Sequence, residues 1–245
     1  MVIHVGEQTE EKYEKFEEIL APFAKDGLEY EFIFTPGKPV EVILRAARIL
    51  SIDLLILGAL QRENVLNYYV GSIARKITRK AKCSVLLLIK PSIERVACNH
   101  IVVNGLKDPK TEQSIKTAFY VGHQLGTAKM TIVEEIRQQE IHINVDDDIS
   151  LRKATIAKEK LRRREDNRVQ KIVNEIPQEI KDNIIMKTQP IFGKRGYSIG
   201  HYAEVVRADL LIMNAPSKTG FWDRLFPHDI EHILTELPTD VLIIQ

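Results

Sequence analysis

Ala47-Arg-Ile-Leu-Ser-Ile-Asp-Leu-Leu-Ile-Leu-Gly58 returns later in the chain as Ala203-Glu-Val-Val-Arg-Ala-Asp-Leu-Leu-Ile-Met-Asn214, displaced by 156 positions without a gap. The same displacement lays Gly37-Lys38 on Gly193-Lys194 and Ser84-Val-Leu-Leu-Leu88 on Asp240-Val-Leu-Ile-Ile244. Three matches in one register make an internal repeat. The chain therefore reads as two copies of one domain, residues 1–92 and 93–245, with the division near Pro91–Val96.

Each copy alternates strands with helices. In copy one, Val2–Val5 reads as a strand and Glu10–Lys25 as an amphipathic helix, with Tyr13, Phe16, Ile19, Leu20 and Phe23 at helical spacing. Tyr30–Phe34 is a second strand, and Pro39 opens a helix that runs to Leu50. Asp53–Leu57 is a continuous apolar run, the pattern of a strand covered on both faces. Helix Gly71–Lys80 and strand Val85–Ile89 close the unit. Copy two starts a step earlier, with strand His100–Val103, turn Asn104-Gly105 and helix Thr111–Leu125. It continues through strand Met130–Glu134, a helical region within Ile149–Glu175 and strand Ile184–Thr188. Helix Ser198–Arg207, strand Asp209–Met213, helix Asp229–Leu237 and strand Val241–Ile244 complete it. Strand–helix alternation of this kind implies right-handed crossovers and a parallel, doubly wound α/β sheet in each copy. Val2–Val5 aligns with Met130–Glu134, so copy one lacks a counterpart of His100–Lys129. In a doubly wound sheet the missing first strand is central, and its loss exposes two edges. Copy one is thus expected to be a reduced domain or a fragment of a longer one.

Composition narrows the function. Thirty-five basic residues against 34 acidic ones leave a net charge of +1, which gives no global field toward nucleic acid. The longest apolar runs, Leu54–Leu57 and Val85–Ile89, fall far short of the ~20 residues of a membrane helix. Met1–Thr9 has no basic stretch before a long apolar one, so no secretory signal is read there. Two cysteines, Cys83 and Cys98, are too few for a disulfide framework or a cysteine-rich zinc site, and the cytoplasm is the expected setting.

Ligands of open α/β sheets bind beyond the carboxyl ends of the strands. After Asp53–Leu57 come Gly58, Gln61 and then Gly71-Ser72 at the start of a helix. Glycine permits close backbone approach, and a helix N-terminus offers bare N–H groups to phosphate. The same residues also suit an ordinary turn and helix cap. This strand–loop–helix pattern resembles the universal stress proteins, whose loop carries Gly, a second Gly three residues on, and a later Gly-Ser/Thr. The resemblance covers nearly the whole chain as a tandem pair. It implies that Gly58, Gly71 and Ser72 hold the phosphates of ATP, with Gln61 in place of the middle glycine. In copy two the equivalent positions are Asn214, Ser217, Pro227 and His228, and Asn104 stands where the family has a nucleoside-binding Asp. Pro227 removes an N–H donor, so ATP is expected in the first copy alone. The resemblance also implies pairing of last strands, within the chain or in a homodimer.

Other features carry weaker signals. His228 and His232 stand four apart beside Asp229 and Glu231, but the Glu that a zinc-protease motif needs directly after the first His is absent, so no metal is assigned. Arg152–Lys171 holds nine basic residues, with Lys158, Lys160, Arg162, Arg163 and Arg164 at its centre. Such a run is a solvated helix face or a contact for anionic lipid, RNA or an acidic partner. The Phe221–Phe226 cluster fills copy two's loop with bulk, and Cys98 reads as structural. No catalytic constellation is evident. The expected function is a non-catalytic stress-response module that binds partners; the alternative is a cytosolic regulatory tail of an amino-acid permease or cation antiporter.

Overall fold

The computed structural model describes residues 1–61, 68–92, 94, 96–136, 144, 146–192, 197–215 and 233–245. The first half contains β1 (Val2–Val5), α1 (Glu10–Ala24), β2 (Phe32–Thr35), α2 (Pro39–Ile49) and β3 (Leu54–Gly58). It continues with β4 (Leu60–Gln61), β5 (Tyr68–Tyr69), α3 (Ser72–Lys80) and β6 (Ser84–Leu88). The second half runs β7 (His100–Asn104), α4 (Thr111–Leu125), β8 (Lys129–Ile136), α5 (Asp148–Asn174) and α6 (Gln178–Lys181). It ends with β9 (Ile185–Phe192), α7 (Tyr197–Val205), β10 (Leu210–Asn214) and β11 (Asp240–Ile244).

Local chemistry sets the helix ends. Pro39, with its fixed φ, opens α2. Asp147 caps α5 by accepting from the Ser150 N–H at 2.6 Å, while Ser150 Oγ accepts from the Asp147 N–H at 3.0 Å. Gly126, at φ 70°, ends α4 in the left-handed conformation that glycine takes without strain. The turns after α2 and α7 are alike residue for residue. Ser51 and Arg207 both adopt positive φ, 51° and 50°, as rare non-glycine left-handed residues. Around them Leu50 donates to Ala46 and Ile52 to Ala47, as Val206 donates to Tyr202 and Ala208 to Ala203. The sequence repeat is therefore also a repeat of backbone hydrogen bonds.

Seven strands form one sheet in the order β3-β6-β11-β10-β7-β8-β9. Its second-half strands are parallel throughout, and β3 lies parallel to β6. The two halves meet where β6 and β11 pair antiparallel, Val85 opposite Ile243 and Leu87 opposite Val241. β1 and β2 form a separate parallel pair. The sequence reading treats each copy as its own sheet; hydrogen bonding makes β3 and β6 an extension of the second half's sheet and leaves β1 and β2 outside it.

Strand alternation divides the core between the two faces. On one face Val85, Leu87, Leu211, Met213, Val241 and Ile243 pack with Ile199 and Ala203 of α7 and with Ile233 and Leu234. On the other, Ile101, Val103, Leu210 and Ile212 pack beneath Ile115, Ala118 and Phe119 of α4 and Val169 and Val173 of α5. Ile56 of β3 is 60% exposed, while its repeat partner Ile212 is fully buried. Truncation separates the two positions: Ile212→Ala is expected to cost about 2–5 kcal/mol in urea unfolding, and Ile56→Ala about 0.5 kcal/mol or less.

Candidate functional site

Gly58 closes β3, and a Cβ there would meet nothing within 4 Å. The next residue, Ala59, donates to the Leu88 carbonyl at 2.8 Å, which holds the start of the loop to the sheet. The loop is more ordered than the sequence suggests, because Leu60 and Gln61 pair antiparallel with Tyr69 and Tyr68. Gln61 thus occupies a backbone ladder where the family pattern has a glycine. Gly71 is the N-cap of α3, and a Cβ on it would lie 2.8 Å from Leu60 Cδ1. The contact is with the terminal methyl of the exposed Leu60, which could shift, and Gly71 has no unusual φ. Ser72 begins α3 in an exposed position. Among the described residues no acceptor faces the backbone N–H groups of Ser72, Ile73 and Ala74. A free first turn of this kind suits an anion.

The same loop is bonded to the other half. Val70 is buried, and its N–H donates to the Leu234 carbonyl at 3.1 Å. Arg75 Nη2 donates to that carbonyl at 3.0 Å. One carbonyl of the second half therefore holds the residues on both sides of Gly71-Ser72.

The corresponding cleft of the second half is filled by its own side chains. Asn104 and Asn214 end β7 and β10 and are buried. Asn214 Oδ1 accepts from Ser114 Oγ at 2.5 Å, and its Nδ2 donates to Thr111 Oγ1 at 3.2 Å and Asp108 Oδ1 at 3.3 Å. Asn104 Oδ1 accepts from the Leu106 N–H at 3.0 Å, and the Leu106 carbonyl accepts from Thr111 Oγ1. The network joins the strand ends to the first turn of α4, where a ligand of this fold class would sit. Asp108, Thr111 and Ser114 escape the sequence reading because their partner, Asn214, lies about a hundred residues away. Ser217, Pro227, His228, His232 and the Phe221–Phe226 cluster lie outside the described residues.

Beside this plug, Glu134 of β8 is buried with neither carboxyl oxygen hydrogen-bonded. Burial is the main cause that raises its pKa to about 7, helped by Asp166 and Glu165 and opposed by Arg168 and Arg162. Its neighbour Glu135 turns the other way and accepts from the Ile199 N–H at 2.8 Å. Arg168 of α5 bridges Glu165 and the Gly105 carbonyl, which ties that helix over the end of β7. Gly105 admits no side chain, since a Cβ would fall 2.7 Å from Ile132 Cγ2 and 3.0 Å from the Val133 carbonyl.

The basic run on α5 is partly committed. Lys158 Nζ lies 5.8 Å from the centre of the Phe192 ring, Arg163 pairs with Glu159, and Arg164 with Glu165. Lys160 and Arg162 project into solvent. The Cys98 thiol is pushed up in pKa, chiefly by burial, which makes it a poor nucleophile. Among the described residues no group of His, Cys, Asp and Glu could hold a metal, and no helix is long and apolar enough to cross a membrane.

Glu134 yields a pH prediction. Its folded pKa lies above the unfolded value of 4.5, so the unfolded chain ionises first and stability falls as pH rises through 7. Between pH 4 and pH 8 the loss attributable to this group is about 3 kcal/mol, and Glu134→Gln removes that part of the slope in denaturant titrations.

Comparison with known proteins agrees with this geometry. The universal stress protein family model matches residues 2–88. No curated protein matches the sequence. A protein of Pseudomonas aeruginosa UCBPP-PA14 assigned to the universal stress proteins superposes with a TM-score of 0.65 at 13% identity, covering 99% of this chain and 81% of that one. A universal stress protein of Archaeoglobus fulgidus DSM 4304 gives 0.60 at 16% identity, covering 96% of this chain and 77% of its own. A functionally unknown protein of Pseudomonas aeruginosa PAO1 gives 0.63 at 13% identity, with coverages of 99% and 80%. The universal stress protein family model thus covers residues 2–88, and the chain along almost its whole length has the fold of universal stress proteins.

Proposed function

We propose that this chain is a non-catalytic stress-response module in which a nucleotide at the first-half loop adjusts the contact between the two halves. The supporting observation is the position of Gly71-Ser72. The free first turn of α3 lies between Val70 and Arg75, both of which bond to the Leu234 carbonyl. A phosphate seated on those N–H groups would draw the start of α3 toward it and load both contacts with Leu234. ATP is the ligand that the family pattern at Gly58, Gly71 and Ser72 suggests, with Gln61 in place of the middle glycine. The second half acts as a fixed scaffold, since Asn104 and Asn214 already fill its cleft.

Calorimetric titration with ATP and Mg-ATP tests this reading. The expected result is micromolar binding that weakens about tenfold or more in Gly58→Asp, which adds negative charge to open space without a clash. Absence of heat at millimolar ATP would retire the nucleotide role.

A second reading, a cytosolic regulatory tail of a membrane transporter, is favoured by α5. Its first turns expose Ile149, Leu151 and Ile156 together with Arg152, Lys153, Lys160 and Arg162. Apolar and basic groups on one projecting helix suit an anionic bilayer surface. On this reading the protein co-sediments with vesicles containing phosphatidylserine but not with pure phosphatidylcholine. Lys160→Glu/Arg162→Glu weakens that binding, and so does raised salt.

A further inference from the structure

Charge is divided unevenly within the first half. Residues 7–31 carry nine acidic and three basic side chains, whereas residues 38–90 carry ten basic and three acidic ones. The whole chain has a net charge of only +1, so the division is local and no net field accompanies it.

Two helices concentrate the two signs. On α1, Glu10, Glu14 and Glu18 are exposed and stand four apart, which places them on one stripe. The other side of α1 is committed to β1 and β2, where Phe16 packs against His4, Phe32 and Phe34. On α3 and just beyond it, Arg75, Lys76, Arg79, Lys80 and Lys82 follow one another with no acidic residue between them. Lys76 and Lys80 are exposed and four apart, while Ile77 and Thr78 are buried. α2 packs beside α3 and adds the exposed Arg45 and Arg48. Like charges four apart on a helix repel, so each stripe carries a small cost. Among the described residues the chain does not relieve it: Glu10, Glu14, Glu18, Lys76 and Lys80 form no ion pair, and α1 pairs only Lys15 with Glu11.

We propose that the Glu10–Glu14–Glu18 stripe of α1 docks on the Lys76–Lys80 stripe of α3 in a second copy of the chain. Both stripes advance about 6 Å for every four residues, so two helices laid side by side bring opposite charges together at each step. The page also favours self-association over a strongly charged outsider: the two patches balance each other, and a net charge near zero leaves little repulsion between copies. The last strands are not free for the purpose, because β6 and β11 already pair with each other inside the chain. A second copy must therefore use another face. The contact is heterologous, α1 against α3, so two copies close it reciprocally or further copies add to the patch left open. Neither the nucleotide reading nor the membrane reading is needed for it.

Sedimentation velocity of the full-length protein over a concentration series tests the contact. Exposed ion pairs are weak singly, so the expected Kd is on the order of 100 μM at about 20 mM salt, and about tenfold or more weaker at about 300 mM. Glu14→Lys/Glu18→Lys and Lys76→Glu/Lys80→Glu should each weaken association by about tenfold or more, because both patches then carry one sign. All four substitutions in one chain restore opposite signs, and association should return. These positions are exposed, so circular dichroism and thermal unfolding should stay close to those of the parent protein. A monomer at every concentration up to about 500 μM in low salt would overturn the proposal. So would association that persists through either charge reversal, or a fourfold variant that stays monomeric. Capture of a monomeric chain by phosphatidylserine vesicles, lost in Lys76→Glu/Lys80→Glu but kept in Lys160→Glu/Arg162→Glu, would overturn it in favour of an anionic surface.

Discussion

The antiparallel pairing of β6 with β11 is the contact on which the rest of the structure depends. Val85, Leu87, Val241 and Ile243 are fully buried there, each worth about 2 kcal/mol of apolar transfer. β3 and β6 form a pair of strands that on its own would be marginal in water. Joined to β11, they become the margin of a seven-stranded sheet and take a share of its buried core. Ile89 adds a polar lock, donating its N–H to Asp240 Oδ1 at 2.8 Å across the same junction.

That dependence explains how the first half keeps its fold without a central strand. α2 and α3 still cover one face, and Val70 is buried in one cluster with the second half's Leu234. The opposite face has no such cover, and the exposed Leu54 and Ile56 mark the deficit. β1, β2 and α1 make their own small cluster instead, in which Phe16 packs against Phe32 and Phe34.

The two strand-end clefts have taken opposite courses. In the second half two asparagines turn the cleft into a closed hydrogen-bond network with the first turn of α4. Such a network is costly to open, because each buried polar group would lose its partner. In the first half Gly58 and Gly71 remain, and among the described residues β3 pairs with β6 alone and no acceptor faces the start of α3. The link from this loop to Leu234 makes the seam between halves part of the candidate site.

Strand–helix alternation and the repeated segment around Asp53 and Asp209 were legible from residue order alone, because they rest on local periodicity and on one shift. So was the helix start at Pro39, whose ring dispenses with a backbone N–H that the first turn would leave unpaired. The short ladder of Leu60–Gln61 with Tyr68–Tyr69 was not legible, since two-residue strands carry no period. Nor was the asparagine plug, the buried Glu134 or the hold of Leu234 on Val70 and Arg75. Each of these joins residues distant in the chain, and only packing brings them together. Sequence alone determined where most of the strands and helices form. Tertiary structure decided which cleft is closed and which edges stay open, because burial and hydrogen-bond satisfaction are properties of the assembled sheet and not of any one segment.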